Sequence, residues 1–149
     1  MNSNRHNSPS IAAQMLGYGG LVPFVGLGLA AWLLPTPHRA TALTALIGYG
    51  ASILSFLGAI HWGFTMRDRP AASTRLLGWG VVPSLTAWVA LLLPPAAGLW
   101  LLAVGLWACF AVDRVVYRQV GVQAWLPMRL LLTLVASLSC LAATWSTTP

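Results

Sequence analysis

The chain has 149 residues, of which 58% are apolar and only 7% charged, with a mean hydropathy of +0.76. A soluble domain carries about 25% charged residues, so this composition excludes a water-facing globule. The net charge of +6 comes from arginines placed at the ends of apolar stretches, which serves topology and headgroup contact rather than nucleic acid.

Residues 1–10, MNSNRHNSPS, form a polar tail expected to be disordered. The first apolar run, Ile11–Leu34, far exceeds the ~7–15 residues of a signal-peptide core, so a retained helix is expected. The segment 35–41, PTPHRAT, predicts a turn, and a second run follows over Ala40–Met66. Three more occupy Leu76–Leu93, Ala96–Val116 and Trp125–Trp145, with Pro94-Pro95 separating the third and fourth runs. About 20 residues rising ~1.5 Å each cross a ~30 Å hydrocarbon core, so each run suffices as a span. The prediction is an all-α, polytopic membrane bundle: one five-helix domain over residues 11–146.

Arg5, Arg67, Arg69, Arg75, Arg114, Arg118 and Arg129 fall on one side of such a bundle, and Arg39 alone on the other. This bias predicts a cytoplasmic N-terminus and an outer C-terminus in a bacterial inner membrane. Tyr18, Trp62, Trp79, Tyr117 and Trp125 fall near the inner ends, and Trp32, Trp100 and Trp145 near the outer ones, as an interfacial belt. Trp88 and Trp107 lie mid-span and are candidates to frame a ligand, although lipid-facing or packed roles are commoner for such residues.

Pro23 and Pro83 predict kinks that free carbonyls near Tyr18–Gly20 and Trp79–Gly80. LGYGGLVPF (16–24) echoes LGWGVVPS (77–84), as a duplicated two-helix unit would, although chance explains the likeness equally well. On the second span Gly48, Ser52, Ser55, Ala59 and Gly63 form a small-residue stripe. Packing inside the bundle is expected of it, in preference to self-association. Cys109 and Cys140 fall at different depths and read as small buried hydrophobes.

Few polar residues can carry chemistry. His61, Asp113, Arg114 and Arg129 all fall at the inner edge of the membrane, where ionisable groups are costly unless paired or hydrated. Each has a structural reading too: Arg114 and Arg118 can snorkel to headgroups, Asp113 can pair with Arg129, and His61 can be a hydrogen-bonded packing residue. Motifs for metal hydrolases, nucleophile elbows, phosphate loops and paired carboxylates are missing from the sequence, and no cofactor is implied.

The segments GLVPF (20–24), YGASILSFLGAIHWGF (49–64), VPSLTAWVALLLP (82–94) and WLPMRLLLT (125–133) resemble a family of small five-helix membrane proteins that includes mitochondrial transmembrane protein 69. The resemblance implies a five-helix bundle in an energy-transducing membrane and assigns no catalytic residue. Three functions follow from the sequence. The leading one is a non-enzymatic accessory or assembly protein for another membrane complex, with a homo-oligomer left open. The second is a small carrier or proton-coupled transporter using His61 and Asp113. The third is a lipid- or quinone-binding protein or enzyme with Trp88, Trp107 or His61 in its pocket. A cavity-free bundle favours the first, a wet cavity reaching His61 the second, and a dry lateral opening the third.

Overall fold

The computed structural model describes residues 8–67 and 74–146, and five of its helical segments are long and apolar enough to cross a membrane. The first span is two helices, α1 (Ile11–Gly19) and α2 (Leu21–Leu33). They are followed by α3 (Thr36–Arg67), α4 (Thr74–Leu92), α5 (Pro95–Gln119) and α6 (Leu126–Trp145). The tail up to Asn7 and the arginines at 5 and 69 lie outside the described residues.

Proline chemistry explains the breaks. Pro23 has no N–H for the Gly19 carbonyl, and the chain bends at Gly20 while keeping right-handed dihedrals of −63° and −15°. The Gly20 carbonyl is taken by the Tyr49 hydroxyl, which donates from α3 at 2.8 Å. Pro83, by contrast, sits inside an unbroken α4, so the echoed segments differ in structure. The expected turn over residues 35–41 is shorter than predicted, because α3 already begins at Thr36. Pro37 occupies its first turn, where a missing N–H costs nothing. At ~1.5 Å per residue α3 runs about 48 Å and must tilt in, or project from, a ~30 Å core.

α3 is the hub, packing on α2, α4 and α5, while α6 closes the bundle against α2 and α5. Backbones approach closely where glycine replaces a side chain. A Cβ on Gly58 would collide with the Gly80 carbonyl of α4, and one on Gly105 of α5 would come within 2.8 Å of Leu54 Cδ2. Without a hydrophobic force to press helices together in lipid, such contacts and their dispersion energy hold the bundle. Leu46, Leu54, Leu99, Leu102 and Leu106 fill the shared interior.

The small-residue stripe on α3 runs against expectation. Ser52, Ala59 and Gly63 are exposed, and a Cβ on Gly48 or Gly63 would meet nothing within 4 Å. The packing face is the opposite one, carrying Gly50, Leu54, Gly58 and His61. Lipid is as apolar as leucine, so small size alone does not select the inward face.

Candidate functional site

His61, Asp113 and Arg129 come together from three helices. α3 and α5 run parallel and touch closely at Leu54 and Gly105. About two turns further along each helix, the same faces bring His61 and Asp113 into contact. α5 ends in a tight reversal: Gly121 adopts φ 76°, and the Val122 N–H donates to the Tyr117 carbonyl at 2.8 Å. That geometry favours glycine because a Cβ would be strained there. The reversal returns α6 antiparallel, so Arg129 faces Asp113.

Asp113 is the bridge. Its Oδ2 accepts from Arg129 Nε at 2.9 Å and from Nη2 at 2.5 Å. Its Oδ1 lies 3.3 Å from His61 Nε2. That contact has ion-pair distance but not hydrogen-bond geometry. The other ring nitrogen, Nδ1, donates to the Leu57 carbonyl at 3.2 Å. His61 and Asp113 are 0% and 1% exposed and Arg129 is 6% exposed, so the charges are desolvated and depend on one another. Phe64 stands edge-on to both His61 and Tyr117, with ring centroids 6.4 and 5.7 Å away.

Beside this cluster is a cavity of about 530 Å³, bounded by α1, α2, α3, α5 and α6. It is lined almost wholly by carbon, including Phe24, Leu57, Ile60, Leu106, Leu132 and Ala136. Among the described residues Arg129 is its one charged lining residue, flanked by Thr133 and Tyr117. Leu16 and Phe56 belong to the lining and are exposed, so the cavity opens sideways toward the bilayer. α1 contributes one wall, has no buried residue and packs only on α2 and α6.

The remaining candidate residues lie elsewhere. Arg114 is exposed, one position beyond Asp113 and off its face. Trp88 is 59% exposed and borders a separate shallow groove between α3 and α4. Trp107 stacks edge-on against Phe110 at 6.0 Å on the outer surface. Neither tryptophan, nor His61, lines the large cavity; its indole is Trp125. Tyr117, read from sequence as a belt residue, is buried against the Arg129 guanidinium. Two signals pointed to the residues that sequence reasoning passed over. Tyr117 is one helical turn after Asp113, and Thr133 is one turn after Arg129, so each shares a face with a charged partner.

Fold and site together define an all-α, multi-pass membrane protein with a buried ion cluster at the wall of a lateral apolar cavity. The chain belongs to the family described as protein of unknown function (DUF3429), whose pattern matches residues 9–145. It is similar to Transmembrane protein 69 of Xenopus tropicalis, with 40% identity over 82 residues. That match covers 54% of this chain and 32% of the relative, so it reaches about a third of the relative's length. No solved structure matches the chain.

Proposed function

We propose that this protein holds a lipid-class molecule inside the bilayer, admitted sideways from the membrane, which favours the lipid- or quinone-binding reading over a cavity-free accessory bundle. The observation that carries the reading is the carbon-lined cavity of about 530 Å³ with its polar groups gathered at one wall. Its volume falls within the ~300–1,000 Å³ of ordinary ligand pockets, which share this pattern of apolar lining and few polar anchors. The lateral rim at Leu16 and Phe56 gives an apolar molecule a route that never crosses water. A proton-coupled carrier is the less favoured reading, because His61 is packed behind Asp113 and does not line the cavity. The arginine bias supports a bacterial inner-membrane location with the N-terminus inside and the polar wall near the cytoplasmic surface.

Native mass spectrometry of the protein released from mild detergent tests the reading. The wild type should carry a bound lipid-class mass, and Ala136→Phe, which fills the cavity, should lose it while staying monodisperse. Equal retention by both proteins would refute binding in this cavity.

A further inference from the structure

We infer that the molecule held in the cavity presents an uncharged carbonyl oxygen to Thr133 and Arg129; this rests on the cavity being a binding site, as proposed above. Thr133 supplies the first observation. It is 1% exposed, lines the cavity and its hydroxyl has no partner. The other hydroxyls along α6 behave differently. Ser137 donates to Leu134, Ser139 to Val135 and Thr144 to Leu141, each three or four residues back. Those intrahelical bonds are the usual refuge of a hydroxyl in an apolar helix. Among the α6 hydroxyls Thr133 alone leaves its donor unmet, which makes it the one available to an acceptor brought into the cavity.

Arg129 fixes the character of that acceptor. Asp113 occupies Nε and one proton of Nη2 and the Tyr117 hydroxyl lies against the guanidinium; any N–H that Arg129 still turns to the cavity can meet only an acceptor. Charge decides the rest. The charges of Arg129 and Asp113 balance at this wall, and no other charged residue among those described lines the cavity. The titratable neighbours among the described residues are His61 from α3, behind Asp113, and Tyr117 and Cys109 from α5. A carboxylate or phosphate entering here would leave two anions around one guanidinium in an apolar wall, an uncompensated buried charge. A carbonyl accepts from Arg129 and Thr133 without adding charge. Beyond Thr133 the lining continues as Ala136, Leu106 and Phe24, which suits an alkyl or isoprenoid body. Quinone and ester carbonyls share this chemistry.

The test uses two probes that differ only in charge: dibromostearic acid, ionised at alkaline pH, and its methyl ester. Bromine quenches an indole it touches, and the contribution of Trp125, which lines the cavity, is isolated by subtracting the signal of Trp125→Phe. The purified full chain in dodecyl maltoside should show saturable quenching by the ester, with the free acid at least about tenfold weaker. Thr133→Val should weaken ester binding about three- to tenfold, the loss of one hydrogen bond, and Thr133→Ser should restore it. Displacement of the ester by a decyl-tailed benzoquinone supports a quinone carbonyl as the source, and its failure supports an ester carbonyl. Free acid binding as tightly as ester, with both abolished by Ala136→Phe, would overturn the uncharged head and leave the binding reading standing. Quenching that never saturates, or that Ala136→Phe leaves unchanged, would overturn the binding reading itself. If Ala136→Phe is polydisperse, Leu132→Phe fills the same cavity from a less buried position.

Discussion

Breaking the Asp113–Arg129 pair is the most direct perturbation of the bundle. Asp113→Asn keeps shape but removes the charge facing a guanidinium that is 6% exposed and doubly hydrogen-bonded to one carboxylate oxygen. Removing one partner of such a buried pair costs about 3–5 kcal/mol, because the surviving charge loses its counter-ion without regaining water. Arg129→Gln should cost a similar amount for the mirror reason, and it also strips both donors from Oδ2. At roughly 2–4 °C per kcal/mol for a chain of this size, each single variant should melt about 6–20 °C lower in detergent. The double variant carries the discriminating information. With both charges gone no orphan ion remains, so its cost should fall short of the summed single costs by about 0.5–3 kcal/mol. Thermal unfolding of all four proteins in one detergent, followed by loss of the monodisperse peak, measures the cycle. Single variants that melt with the wild type, or a double variant whose loss equals the sum, would refute the argument that these charges depend on each other.

His61 should tolerate glutamine better than leucine: Gln can still donate toward Leu57 or Asp113, whereas Leu leaves Asp113 Oδ1 facing carbon, and melting temperatures of the two variants should differ in that order. Glycine positions should split by face. Gly58→Ala drives a Cβ into the Gly80 carbonyl and should destabilise by about 1–3 kcal/mol. Gly48→Ala meets open space and should be neutral or gain up to about 1 kcal/mol from helix propensity; equal losses at both sites would contradict the α3 packing face. Reporter fusions should report a periplasmic end after Pro149 and a cytoplasmic loop after Arg69, and a cytoplasmic C-terminus would overturn the orientation.

The five spans were legible in the sequence because a bilayer imposes a one-dimensional rule: a run of about 20 apolar residues is long enough to cross, wherever it sits in the fold. The same rule marked His61, Asp113 and Arg129, since an ionisable residue in an apolar run stands out without any knowledge of its neighbours. Helix faces were another matter. Lipid and protein interior are equally apolar, so the pattern along α3 does not say which side turns inward: of the stripe Gly48, Ser52, Ser55, Ala59 and Gly63, three residues are exposed and Gly48 and Ser55 are half-buried at the α3–α4 groove. Arg114 and Asp113 are adjacent in sequence and divided by the ~100° step of a helix, which buries one and exposes the other. The cavity was beyond sequence reasoning altogether. Its walls come from five helices, one of them α1, which among the described elements packs on α2 and α6. Its one-turn spacing places Thr133 on the face of Arg129, but its unmet hydroxyl is a property of three-dimensional surroundings and leaves no trace in the order of residues.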